Sequence, residues 1–148
     1  MPTSVDGVQP GLHDRLGYLL KHANLALSEL TGPALAPLGI NGRELAVLTV
    51  LGAAEALAQQ QAAGRLGVDR TTMVDLVDEL ERKQLVERRS DPDDRRRNLV
   101  FLTATGRRAL EQGSQAAREA EQTFLAALDP AEADQFRAML QRVLGLDA

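Results

Sequence analysis

The chain contains no cysteine and no tryptophan, and it has one tyrosine, three phenylalanines and two histidines in 148 residues. Without cysteine there are no disulfides, no thiolate metal sites and no thiol-based redox sensing. His13 and His22 are too few for a dedicated zinc set, and no nucleophile–base pair is visible, so neither a metal site, a cofactor nor an enzyme is expected. The cluster Asp91, Asp93 and Asp94 reads as turn chemistry rather than as a cation site. No apolar run is long enough to span a bilayer, and the start lacks a basic-plus-apolar leader, which points to a cytoplasmic protein. What is present is 44% apolar residues with only 3% aromatics. That composition supports a core of Leu, Ala and Val in a single domain, or in one domain with an extension.

A net charge of −4 argues against a non-specific nucleic-acid coat protein, which would be basic overall. Even residues 65–97, where arginine concentrates, hold nine Lys/Arg against nine Asp/Glu. Any role on DNA must therefore come from local arrangement. Arg88 and Arg89 are adjacent, Arg95, Arg96 and Arg97 are consecutive, and most of the acids fall on one predicted helix.

That helix opens the most informative stretch, residues 69 to 103. Asp69 is a good N-cap, since its carboxylate can accept from the free N–H groups of a first turn. Met73, Leu76, Val77 and Leu80 follow at helical spacing, which makes one face buried. Arg70, Thr71, Val74, Asp75, Asp78 and Arg82 occupy the other. Beyond Gln84 the period becomes strand-like through Val86, and again at Val100–Phe101. Between the strands, Asp91-Pro92 opens a turn that ends in three arginines. A helix followed by an arginine-tipped hairpin suits duplex DNA, with the helix in a major groove and the hairpin in an adjacent minor groove. Three arginines together would repel one another unless phosphates or a narrow groove receive them.

Around this stretch the chain is helical. Residues 1–10, with Pro2, Gly7 and Pro10, read as a loose tail. Leu12, Leu16, Leu19, Ala23, Leu27 and Leu30 form a stripe longer than one small domain needs, so pairing with a second subunit is its natural use. Thr31-Gly32-Pro33 either breaks or kinks that helix, and Leu35–Leu38 continues it by a turn. Asn41 and Glu44 form a capping box ahead of Leu45, Leu48 and Leu51. Residues 53–57 connect, with room for a very short strand at Ala56–Leu57. A weak helix over 59–66, starting after the poor cap Ala58 and containing Gly64, ends at Gly67. After the hairpin, Thr105 is read as the cap of a long helix to Leu128, and Asp129-Pro130-Ala131-Glu132 starts a final one.

The order of elements and the motifs Leu66-Gly67-Val68-Asp69-Arg70-Thr71-Thr72, Leu85-Val86-Glu87-Arg88, Asp94-Arg95-Arg96 and Leu102-Thr103 resemble the MarR family of bacterial regulators. The resemblance covers roughly residues 12–145. It implies a mainly α fold with α+β content: a winged helix-turn-helix at 41–103 with a two-stranded β wing, an N-terminal dimerisation helix at 11–38 and C-terminal dimerisation helices at 104–148. It further implies a homodimeric, ligand-responsive repressor on a pseudo-palindromic operator. Arg96 would enter the minor groove, Asp94 would fix the arginine and the wing tip, and a small anionic or phenolic effector would occupy the crevice between the two parts. Two departures stand out: acids at Asp75 and Glu79, where the family often has basic residues, and the small Ala62 in the supporting helix.

The candidate DNA contacts are Arg70, Thr71, Thr72, Arg88, Arg95, Arg96 and Arg97, with Asp94 stabilising the wing. Against this stand the plainer readings of Thr71 and Thr72 as first-turn residues that only assist capping, and of an arginine run as a solvated tip. Tyr18, His22 and Arg43 are the candidate effector pocket, against the plainer reading of His22 as a surface or interface residue. The alternative function is a winged-helix protein–protein interaction module that no longer binds DNA, motivated by the acidic recognition helix.

Overall fold

The computed structural model describes residues 11–54 and 56–146; the tail expected at 1–10 lies outside them. Its helices are α1 (Leu16–Leu35), α2 (Gly42–Gly52), α3 (Gln59–Leu66), α4 (Arg70–Arg82), α5 (Ala104–Phe124) and α6 (Pro130–Val143). The strands are β1 (Leu57–Ala58), β2 (Val86–Ser90) and β3 (Asn98–Leu102), and short 3₁₀ turns flank α1 at Leu12–Asp14 and Ala36–Leu38. This is the mainly helical winged helix-turn-helix that the sequence implies. No single helix among the described residues is long and apolar enough to cross a membrane.

The helix starts follow from local chemistry. At α2, Asn41 Oδ1 accepts from the Glu44 N–H at 2.9 Å, and Glu44 Oε1 accepts from the Asn41 N–H at 3.0 Å. Asp129 and Glu132 repeat the box at α6, with distances of 2.9 and 3.0 Å. At α3 only half of it exists: Gln61 Oε1 accepts from the Ala58 N–H at 3.1 Å, and Ala58 has no side-chain acceptor to reciprocate. The start of α5 corrects the sequence reading. Thr103, not Thr105, is the cap, and its hydroxyl accepts from the Gly106 N–H at 3.0 Å and donates to the Gln84 carbonyl at 2.7 Å. Gly106 is required there, because a Cβ would collide with the Leu85 carbonyl oxygen. The helix also ends at Phe124, and a turn closed by the Leu128 N–H on the Leu125 carbonyl follows.

The α1 helix runs through Pro33 to Leu35 rather than breaking. Proline removes one intrahelical bond, but Leu35 at the helix end is fully buried in the core, which holds the last turn in place. Thr31 adds a bond from its hydroxyl to the Leu27 carbonyl at 2.9 Å.

In the sheet, β3 lies between β1 and β2, all antiparallel. The wing hairpin pairs Val86 with Leu102 and Ser90 with Asn98. The short strand forms one residue later than read, with Leu57 opposite Val100. One core joins Leu35, Leu48, Met73, Val77, Leu80 and Val100, and it contains no aromatic residue. Each such aliphatic side chain contributes about 2 kcal/mol on burial. The α4 face read from the sequence is the one that is buried, and Leu76 stays half-exposed at its edge.

Candidate nucleic-acid interface

The first turn of α4 is held by Asp69. Its Oδ1 accepts from the Thr72 N–H at 2.7 Å and its Oδ2 from the Thr72 hydroxyl at 2.9 Å. These bonds favour the charged carboxylate and hold Asp69 below its ordinary pKa. Thr72 is thereby turned toward the cap, whereas Thr71 and Arg70 are exposed on the outer side of the turn.

The wing tip is built by its own aspartates. Asp91 Oδ1 accepts from the Asp93 N–H at 2.9 Å, and the Asp91 N–H donates to the Arg97 carbonyl at 3.0 Å. Asp94 Oδ1 accepts from the backbone N–H of Arg96 at 3.0 Å. Asp94 thus shapes the arginine loop through the main chain, and no guanidinium lies against its carboxylate among the described residues. The result is a small crevice of about 60 Å³ lined by Arg70 from α4, by Arg96, Arg97 and Asn98 from the wing, and by Gln59 and Gln60 from α3. Arg95 is exposed outside it.

Ion pairs within the protein decide which charges of this region are available to a partner. Glu79 pairs with Arg82, which lowers the glutamate's pKa and raises the arginine's. Asp78 and Glu81 pair with Arg88 at 2.6 and 3.1 Å, and Glu87 pairs with Arg89, which also lies 4.6 Å from the Phe101 ring centroid. Among the described residues, Arg70, Arg95, Arg96 and Arg97 have no carboxylate within 4.0 Å. Four of the nine acids of residues 65–97, Asp78, Glu79, Glu81 and Glu87, are paired within the protein. The guanidiniums of this part without a carboxylate partner among the described residues are Arg65 at the end of α3, Arg70 in the first turn of α4, and Arg95, Arg96 and Arg97 on the wing. Asp75 is the exposed acid of α4 without a basic partner. Arg88 does not join the free set: its side chain is 18% exposed and is occupied by the protein itself.

A second, larger crevice of about 960 Å³ lies between α1, the start of α2 and the α3–α4 turn. Asn24, Ser28, Asn41 and Arg43 offer polar groups, and Ala46, Leu66, Val68 and Leu76 offer apolar ones. Arg43 therefore lines this space. Tyr18 and His22 do not line this space; their rings stack on each other at 4.1 Å between centroids, farther toward the start of α1. Asn24 and Ser28 escaped the sequence reading although they carry a signal, as polar residues four apart on a leucine-rich helix. Gln59, Gln60 and Asn98 carried none, because only the closed sheet brings them to the arginines.

Residues 38–97 match the sequence model described as the MarR family. A Thauera aromatica protein described as a transcriptional regulator for the hcr operon is 32% identical over 138 residues, 93% of this chain and 80% of that protein. The transcriptional repressor CouR bound to a 23-mer DNA duplex superposes with a TM-score of 0.86 at 30% identity, covering 93% of this chain and 98% of that one. CouR from Rhodococcus jostii RHA1 bound to p-coumaroyl-CoA superposes with a TM-score of 0.78 at 31% identity, covering 91% and 95%.

Proposed function

The chain belongs to the MarR family of transcriptional regulators, and from that premise we propose that it is a homodimeric, sequence-specific DNA-binding repressor released by a small organic ligand. One observation carries the DNA-binding part. Four guanidiniums free of internal partners, Arg70, Arg95, Arg96 and Arg97, are gathered at the first turn of α4 and on the wing, while three of the four acids of α4 are paired within the protein. In this reading Arg70 and Thr71 face base edges in the major groove. Thr72 supports that turn through Asp69. Arg96 enters the minor groove, and Arg95 and Arg97 meet the flanking phosphates.

The same pairing weakens the case for an interaction module without DNA, which rested on the acidic helix. No catalytic role is assigned to any residue, and the cytoplasm, where the chromosome is accessible, is the place of action. Two copies would set two α4 helices on a pseudo-palindromic site. The effector is proposed to be a small organic anion or phenol in the larger crevice, with Arg43 as the group that meets its charge. Titration of salicylate-like ligands into Arg43→Ala and His22→Ala separates that placement from one at the Tyr18–His22 stack.

The test of DNA binding is fluorescence anisotropy on duplexes that the protein enriches from a randomised library, over a range of salt. Arg96→Ala is expected to weaken binding roughly tenfold or more and to reduce the salt slope by about one. A protein that enriches no duplex, or an Arg96→Ala variant that binds as tightly as the wild type, would overturn the reading.

A further inference from the structure

Arg88 lies on β2 opposite Val100, in the middle of the wing hairpin. All three nitrogens of its guanidinium are engaged. Nε donates to Gln59 Oε1 at 3.0 Å, Nη1 to Glu81 Oε1 at 3.1 Å, and Nη2 to the Val74 carbonyl at 3.3 Å. Nη2 also lies 2.6 Å from Asp78 Oδ1, and the Arg88 backbone N–H donates to Glu81 Oε2 at 3.1 Å. Val74, Asp78 and Glu81 run along one side of α4 at spacings of four and three. Gln59 is the first residue of α3. A single guanidinium therefore ties the wing, the recognition helix and the supporting helix together, and it pairs with two carboxylates of α4, offsetting one of their two charges.

We propose that Arg88 is a positioning residue that makes no DNA contact and acts by masking Asp78 and Glu81 at the interface. The inference rests on the DNA-binding reading above. Its physical basis is charge. Asp78 and Glu81 lie about two and three turns along the helix that carries Arg70, and unpaired they would repel phosphates approaching the same surface. The planar guanidinium fork is what allows one cation to reach acceptors on both helices, and lysine lacks that geometry.

The experiment uses the full chain on its own library-selected duplex, with thermal melts showing that each variant is folded at the binding temperature. Arg88→Gln is expected to weaken binding about tenfold. Because Arg88 neutralises no phosphate, the slope of log K against log salt should stay at the wild-type value, in contrast to Arg96→Ala. Adding Asp78→Asn and Glu81→Gln should restore most of the affinity to Arg88→Gln, and should gain less when added to the wild type. They should give no comparable rescue to Arg96→Ala.

If Arg88→Gln alone does not fold, the triple variant decides, because it lacks Arg88 altogether. Near-wild-type affinity with an unchanged slope supports the proposal. A slope reduced by about one in any Arg88 variant marks a phosphate contact and overturns it. So does unchanged affinity in Arg88→Gln, or a loss that removing the two acids does not restore. A wild-type protein that selects no duplex overturns both readings together; normal wild-type binding with any of the adverse Arg88 results overturns this one alone.

Discussion

Gln84 is the one residue other than glycine with positive φ among the described residues, at 62°. It follows α4 at the position where a helix commonly ends in a left-handed residue. The Leu85 N–H bonds the Leu80 carbonyl at 3.0 Å and the Gln84 N–H bonds the Glu81 carbonyl at 2.9 Å, which is the Schellman pattern. After α3 the left-handed position is filled by Gly67, at φ 69°. A side chain in this region costs about 1–2 kcal/mol, and glycine returns part of that as lost unfolded-state entropy. Gln84→Gly is therefore expected to stabilise the fold by roughly 0.5–1 kcal/mol, or about 2–4 °C in Tm, in thermal melts. Affinity for DNA should not change, since Gln84 does not line the crevice that holds Arg70, Arg96 and Arg97.

Asp69 gives the second prediction at this scale. Its carboxyl is held below the ordinary value of 3.8 in the folded state by the Thr72 N–H and hydroxyl. A depressed folded pKa means that the stabilisation is present above the unfolded value and is lost as pH falls through the folded one. Asp69→Asn keeps an acceptor for the cap but does not titrate. The Tm difference between wild type and Asp69→Asn should be largest near neutral pH and should shrink as pH drops below 3.8. A difference that is flat across that range would remove the assignment of the charged cap.

Among the elements, the joint between α2 and α4 is the least ordinary. Glu44 is 1% exposed, yet it is charged and central. Lys83, just past α4, donates to both of its oxygens at 2.9 and 2.8 Å and to the Gly39 carbonyl at 2.8 Å. This ties the end of the recognition helix to the turn that follows α1. Lys83→Met leaves a buried carboxylate without its cation and is expected to cost about 3 kcal/mol or more in urea unfolding. Adding Glu44→Gln should return a large part of that loss. Two losses that simply add would show that the pair is not a unit.

The same joint marks how far the sequence could be read. Glu44 was legible as a capping residue because its partner Asn41 is three positions away. Its bond to Lys83, 39 positions away, has no local signature. The caps Asn41, Asp69 and Asp129, the buried face of α4 and the wing hairpin were all local patterns, and all appear where they were read. The start of α5 was placed at Thr105 because Thr103 also fits the end of a strand. Its true role needs the Gln84 carbonyl and the backbone of Leu85, which only the folded chain supplies. Arg88 was legible as a basic residue on a basic hairpin; that its charge turns inward follows from α4 and α3 packing beside it.

At the scale of the whole molecule, α1 and α6 leave apolar side chains uncovered in a single copy among the described residues. Leu16 is 73% exposed, Leu144 67% and Val143 82%, and α6 has no buried residue. An apolar groove of about 340 Å³ runs between α1, α5 and α6, lined by Leu20, Leu27, Phe124, Phe136 and Leu140. Such a surface is costly to leave in water, at roughly 25 cal/mol per Å² of apolar area, and a second copy offers the same surface in return. Leu144→Asp together with Leu20→Asp is expected to convert a dimer to a monomer in sedimentation velocity, because each copy then buries charge at the joint. The helical content should remain, since neither residue is in the core. Binding to the selected duplex should weaken far more than a single lost contact explains, because half-sites bound one at a time lose the effective concentration that a rigid pair provides. A variant that sediments as a monomer but binds as tightly as the wild type would separate dimerisation from DNA recognition, leaving the free arginines of one wing and one helix as the complete reader.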